Sequence, residues 1–533
     1  MKRLTRFAFL LAAFVAAGPG TVWANGMHPA VPLLDAQGQL VIETGAPLST
    51  MQTCGAECHD VTYIMAHSDH ADAGARRLGQ GGTLHAWQMG PGFYGGWDPL
   101  SYSLAGLGSD GQVDAEAWLM ANGARHVGGG PVAGLVEMNC LLCHSDLEDQ
   151  SARAKLLARG EFVWANSAPL AELDALTETD QGWQWNAGQF NEDGSLREGL
   201  LDIRKPQDEN CARCHGMADN RLDQPLTIDP DPARRTSTDR TGQLISPQKL
   251  NNSGINLAGK EARTHPFDVH ADRVVGCVNC HYSLNNPVYF RQREESRPDH
   301  LVFDPRRLGL SDYLEKPLHQ FAKGQSTLGL AAQTANSLRR CETCHDAVNV
   351  HGWLPYRQRH FSALACESCH VPELFGPALQ SIDWTVLDAN GEPVRHFRNL
   401  EGDPAAVDTL VEGFEPVLLP RRNGDSGYRL APWNLVTSWY WLTGSPARPV
   451  SREQLAAALL EDGKHHPDLV NALDADGNGV LEGQELALRN EASVEAVRNR
   501  LAGAGIANPW IAGEVLPFAI SHNVVNGRWA TRE

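Results

Sequence analysis

Residues 341–370 read CETCHDAVNVHGWLPYRQRHFSALACESCH, and this stretch decides how the rest of the chain must fold. Two cysteine pairs, Cys341/Cys344 and Cys366/Cys369, each enclose two residues, and each is followed at once by a histidine, His345 and His370. Towards the N-terminus the same pattern recurs as CVNCH (Cys277, Cys280, His281), CARCH (Cys211, Cys214, His215) and CLLCH (Cys140, Cys143, His144). A sixth copy, TCGAECHD at 53–60, is irregular, because Cys54 and Cys58 enclose three residues before His59. The chain has 12 cysteines, and these pairs use every one of them.

An even number of cysteines suggests disulfides, but a disulfide framework has no need of a histidine behind each pair. A zinc ribbon joins two CxxC knuckles and likewise does not need the histidines. Covalent haem needs all three residues. Two thiols in a tight turn form thioethers with the two vinyl groups, and the next side chain is then delivered to the iron. We therefore expect six covalently bound haem c groups, the first on a slightly looser loop. Each motif histidine would be one axial ligand.

The opposite axial positions decide the chemistry. An iron with histidine on both faces passes electrons only, whereas one with an open face can bind a substrate. Only six of the 21 histidines follow a motif, so distal ligands are in good supply. His67 and His70 follow the first motif on a segment that reads as a helix. His126 lies in NGARHVGGGP ahead of Cys140, where glycines let backbone approach a flat ring closely. His351 follows His345 and His360 precedes Cys366, while His85, His300, His319 and His522 stand in reserve. Met65, Met89 and Met138 read as apolar packing. His345 and His370 are too close in sequence for a separate domain to lie between them, so the fifth and sixth haems should form a close pair. Elsewhere the porphyrins would supply apolar interior to a chain with 51 Gly and 31 Pro.

The chain looks like a multihaem c-type cytochrome. A narrower resemblance covers about residues 262–385, where HPFDVHADRVVGCVNCH and HFSALACESCHVPELF…IDW are similar to segments of the octahaem tetrathionate reductase-like cytochromes. Of His265 and His270, both ahead of Cys277, that resemblance favours His270 as a ligand. It also implies an oxidoreductase of small sulfur or nitrogen compounds. This chain departs from the family in having six motifs and no CxxCK.

The ends of the chain carry different signals. Lys2, Arg3 and Arg6 precede an apolar run from Phe7 to Ala17 and then Val22-Trp23-Ala24, the pattern of a secretory signal peptide over 1–24. That predicts export to the periplasm, with an extracellular or cell-surface location as the alternative. No later run has the length of a membrane span. The formal net charge of −19 argues against nucleic acid as a partner and for basic ones.

Cysteine stops at Cys369. Beyond it, WTVLD and FEPVLL read as strand, and Trp433, Trp439, Tyr440 and Trp441 form an aromatic cluster read mainly as core. DADGNGVLEGQE, 474–485, has the spacing of an EF-hand loop. Asp474, Asp476 and Asn478 occupy positions 1, 3 and 5, Val480 offers a carbonyl at 7, Glu482 sits at 9 and Glu485 closes the site at 12. One Ca2+ is expected, as a structural staple. Ser451 with Gln454 predicts a capped helix over 452–462, followed by helices over 467–473 and 483–502. His465 and His466 read as surface, and His522 near the end could fold back onto a haem or serve a neighbouring molecule.

The expected architecture is mainly α with long irregular loops around haems, then a haem-free C-terminal region with some β and an EF-hand helix-loop-helix. Its divisions are 25–150 (haems 1–2), 151–375 (haems 3–6), 376–450 (aromatic cluster), 451–505 (EF-hand-like) and 506–533 (tail). The expected function is electron transfer through mostly bis-histidine haems to other redox proteins, a membrane quinol-oxidising cytochrome among them, with self-assembly as a further option. The alternative is a multihaem oxidoreductase with one open haem, the irregular first site being the natural place.

Overall fold

The computed structural model describes residues 28–66, 68–72, 115–229, 238–281, 341–400, 406, 408–422, 427–445 and 447–531. The expected leader and His67, His85, His300, His319 and Met89 lie outside them.

Up to residue 375 the described elements are short. The helices that carry the motifs include Thr50–Gly55, Leu141–His144, Asp208–His215, Cys277–Cys280, Cys341–Cys344 and Glu367–His370. Their starts are set by side chains: Ser49 accepts the Gln52 N–H, and Gln207 with Asn210 makes a capping box ahead of Cys211. Among the described residues three small apolar clusters support them instead of one continuous core, and a fourth joins Val371 and Leu374 to Ile520 near the end of the chain. The first gathers Trp118, Leu119, Val136 and Leu157. The second joins Leu33, Val41, Leu141 and Leu170. Leu226, Leu250, Phe267 and Phe375 make the third. A single hairpin, β1 (Leu176–Thr179) with β2 (Gly182–Trp185), covers the second cluster through Trp183 and Trp185.

The C-terminal part is built differently, and here the mainly α expectation needs correcting to a mixed α/β fold. β3 (Ala378–Leu387), β4 (Pro393–Arg398), β5 (Val417–Arg422), β6 (Tyr428–Thr443), β7 (Arg448–Pro449) and, after two short strands β8 (Leu460–Glu461) and β9 (Lys464–His465), β10 (Trp510–Ala519) are its strands. The large sheet has the order β10-β6-β3-β4, with β5 and β7 also paired to β6. β6 organises it because its 16 residues are rich in β-branched and aromatic side chains and run unbroken. It pairs antiparallel with β10, β5 and β7 and parallel with β3.

One face of this sheet carries the helices Arg452–Leu459, Pro467–Leu473 and Glu491–Gly503 over a continuous core of Trp384, Val386, Tyr440, Trp441, Leu459 and Leu501. Trp441 is fully buried and its Nε1 donates to Thr385 O at 3.0 Å. Trp439 instead lies half-exposed over Gly513, where a Cβ would come within 2.6 Å of its ring. The Ser451–Gln454 capping box is present. The expected helix over 483–502 divides into a 3-10 turn, Gly483–Leu486, and a helix that restarts at Glu491, because Asn490 and Ser493 cap each other reciprocally. His465 is buried and bonds Leu387 O at 2.8 Å, not at the surface as expected.

The sheet braces the last two motifs. Ala365 N–H and the Ser368 hydroxyl both donate to Leu430 O, Arg421 pairs with Glu367 at 2.7 Å, and Arg429 pairs with Glu342 at 3.4 Å.

Candidate metal centres

In the regular motifs the histidine is returned to its leading cysteine by one helical turn. His144, His281, His345 and His370 donate their N–H to the carbonyls of Cys140, Cys277, Cys341 and Cys366 at 2.8–3.1 Å. The irregular motif achieves the same closure with a wider turn, His59 N–H to Cys54 O at 3.1 Å. Gly55 makes this turn feasible, since a Cβ there would lie 2.5 Å from Val61 Cγ2.

Five of the six motif histidines face a second imidazole. His59 faces His28 with ring centres 6.2 Å apart, and His215 faces His70 at 6.0 Å. His281 faces His522 at 6.0 Å, His345 faces His270 at 6.1 Å, and His370 faces His351 at 5.9 Å. Two imidazoles on opposite sides of one metal ion stand about 6 Å apart, from two bonds of about 2 Å and roughly 1 Å within each ring. His144 alone has no imidazole opposite it among the described residues.

The second ring nitrogen is also provided for. His28, His144, His351 and His370 hold Nδ1 against the carbonyls of Pro29, Arg204, Ala347 and Val525 at 2.8–3.0 Å. A carbonyl only accepts, so Nδ1 carries the proton and Nε2 keeps a lone pair for a metal. Burial lowers the pKa of His70, His144, His345 and His522, and that of His281 to about 3, which holds these rings neutral. His70, His144 and His345 are nonetheless exposed to a molecule of solvent size.

His126 has the opposite arrangement. Its Nδ1 accepts the Gly128 N–H at 3.0 Å, which leaves the proton on Nε2, and it packs edge-on against Trp118. No motif histidine faces it. His360 has a buried Nδ1 without a hydrogen-bond partner and likewise faces none of them. His270 stands opposite His345, not the nearer His281, and the reserve His522 takes that place. His28 was not anticipated, and nothing local in NGMHPAV distinguishes it.

The motifs also meet in couples. Thiol–thiol contacts join Cys54 with Cys140, Cys211 with Cys277, and Cys341 with Cys366, pushing the thiols of Cys140, Cys277 and Cys341 far above their usual range. Between the first two couples, Arg213 donates to Leu142 O at 3.1 Å and Asn210 to Ser145 O at 2.8 Å, and within the second couple Asp208 accepts the Cys277 N–H at 2.7 Å. Burial, with Cys211 and Cys214 close by, raises the Cys143 thiol to about 12. The motifs therefore follow one another in space largely as they do in sequence. The expected close pair of motifs five and six is one of three such couples.

In the 474–485 loop, carboxylate oxygens of Asp474, Asp476 and Glu485 lie within 4.8 Å of one another. Asp474 accepts the N–H groups of Gly479 and Gly477, which lowers its pKa, Gly479 having the larger effect. Glu485 reaches back to the N–H groups of Ala475, Asp476 and Glu482, Asn478 accepts from Val480, and Leu481 is buried beneath the loop.

No family model matches the chain, and no curated protein does. Among solved structures, an octaheme cytochrome c from Shewanella oneidensis is similar at 13% identity and a TM-score of 0.30, over 74% of this chain and 71% of that one. The residues described above, not that likeness, carry the reading that follows.

Proposed function

We propose that this protein is an exported hexahaem c-type cytochrome that passes electrons along an ordered row of haems, most of them held by histidine on both faces. The observation that carries the reading is the set of five imidazole pairs at 5.9–6.2 Å, each joining a motif histidine to a second histidine. A disulfide or zinc role for the cysteines gives no reason for such pairs.

The residues present fit haem c. Bound haem supplies a one-electron iron couple, and everything else is the work of the chain. The cysteine pairs anchor, the motif histidines and His28, His70, His270, His351 and His522 close the two faces, and carbonyls at Nδ1 fix the tautomer. The closeness of the leading cysteines in each couple would place neighbouring haems close together. His522 is used within its own chain, so self-assembly would rest on other contacts. The net charge of −19 suits a basic redox partner in the periplasm. Among the described residues no helix is long and apolar enough to cross a membrane. The 474–485 loop is proposed to hold one Ca2+ as a staple between its flanking helices.

A specific observation also favours a second reading at one place. Among the described residues His144 has no imidazole opposite, so its haem is the one proposed to keep an open face and to bind a small sulfur or nitrogen compound. The irregular first site, faced by His28, does not need that role.

Electron paramagnetic resonance of the oxidised protein tests both readings. Five low-spin ferric signals and one high-spin signal are expected, whereas six low-spin signals would eliminate the open face. Fewer than five haems per chain by pyridine haemochrome would overturn the haem reading altogether.

A further inference from the structure

The carboxylate of Asp268 is buried, with about 4% of the residue exposed, yet it is divided between two different pairs of facing imidazoles. Its Oδ1 accepts the His270 N–H at 2.8 Å and lies 3.4 Å from His270 Nδ1. Its Oδ2 accepts two successive backbone N–H groups from the C-terminal strap, Asn523 at 2.7 Å and Val524 at 3.1 Å. His270 faces His345, and His522, the residue just before that strap contact, faces His281. The strap is fixed further by Asn523, whose side chain donates to Leu244 O and Phe267 O and accepts the Leu244 N–H. Without the carboxylate, the strap would reach His281 from a distant part of the sequence with two fewer hydrogen bonds.

Resting on the bis-histidine reading, we infer that Asp268 is a positioning residue for two neighbouring irons at once: it orients and enriches His270 at the fifth haem and seats His522 at the fourth. A carboxylate on the outer ring nitrogen makes an imidazole a stronger donor and favours the ferric state, so it lowers that haem's potential. The same carboxylate sets the strap that delivers the other ligand. Asn cannot replace it. An amide offers one acceptor oxygen, so either His270 or the two strap N–H groups would face an NH2.

The test is Asp268→Asn in the matured full-length chain, with haem content measured first on both proteins. Fewer than five haems in the wild type would overturn the haem reading and this inference with it. With equal loading, a redox titration should show one haem displaced to higher potential. Electron paramagnetic resonance should show a second haem gaining high-spin character as His522 loosens. A titration and spectrum superposable on the wild type would overturn the inference alone, and so would a change confined to one haem. Should Asp268→Asn fail to mature, Asp268→Glu takes its place. It keeps the charge but moves the carboxylate by one methylene, and it should disturb the same two haems. His522→Ala, as a reference, should convert a single haem to high spin.

Discussion

The two halves of the molecule solve the same problem by different means. Beyond residue 376, one continuous core of some twenty buried side chains fills the space between a sheet and three helices. Before it, among the described residues, apolar side chains gather in small separate clusters, and none of these contains the cysteine pairs or the facing imidazoles. A chain that buries so little of its own apolar surface around the motifs needs something else to fill its interior. The C-terminal half has no such need, and it holds none of the 12 cysteines, the last of which is Cys369.

The sharpest way to break this comparison is to make the chain without haem attachment. The motif half should then lose its fold and become protease-sensitive, while the sheet with its three helices survives as a resistant fragment spanning about residues 376–519. Limited proteolysis with mass spectrometry reads this directly. A motif half that stays resistant without haem would sink the idea that porphyrin is its missing core.

Next in size is Trp441→Ala, which removes a fully buried indole and its bond to Thr385 O. Truncating a buried aromatic costs about 3–5 kcal/mol. The loss should appear as a lower melting temperature for the C-terminal half, with haem content and haem potentials unchanged. A parallel fall in haem content would mean that the halves fold as one unit. The bonds from Ala365 and Ser368 to Leu430 make that alternative worth measuring.

What could be read from sequence divides along the same line. The motifs proposed as attachment sites could be read from sequence because their residues are contiguous, cysteines and histidine sharing one turn. The carboxylate cluster of 474–485 could be read for the same reason. The facing histidines were not, because the pairing is a long-range event. His28 and His522 come from opposite ends of the described chain, and only folding brings them to His59 and His281. His270 illustrates the limit most clearly, since its nearest motif in sequence is not the one it faces. In the C-terminal half, the runs WTVLD and FEPVLL made parts of β3 and β5 readable as strands, but the partners of β6 depend on register that no local pattern encodes. The break after Leu486 was missed because a helical period over 483–502 hid the cap at Asn490, a residue that favours starting a helix over continuing one.

Chelation of calcium should act on one half only. A ligand present at 100 times its dissociation constant stabilises by about 2.7 kcal/mol. EGTA should therefore lower the melting temperature of the C-terminal half by that order and leave the haem spectrum as it was. Asp474→Ala should remove the response, because Asp474 sits at the centre of the loop's hydrogen bonds as well as its carboxylate cluster. A melting curve indifferent to EGTA, together with no metal by elemental analysis, would refute the site.

The smallest expected effect falls on the irregular motif, and it comes from two opposed terms. Gly55 is the last residue of the helix Thr50–Gly55, where Ala is the better helix former by about 1 kcal/mol. Against that, the new methyl would meet Val61 Cγ2 at 2.5 Å, Cγ1 at 3.0 Å and Cβ at 3.3 Å. All three contacts are short, so rotating the valine side chain does not clear them, and the turn between Cys54 and His59 must widen. Overpacking of this kind costs about 1–3 kcal/mol. The clash at least offsets the propensity gain, and Gly55→Ala should be destabilising by up to about 2 kcal/mol at the first site alone. One haem of six should shift its potential while the C-terminal half melts unchanged. Adding Val61→Ala removes the clashing atoms and should reverse the shift. If the double variant keeps it, the strain lies in the wide turn itself and not in the packing behind it.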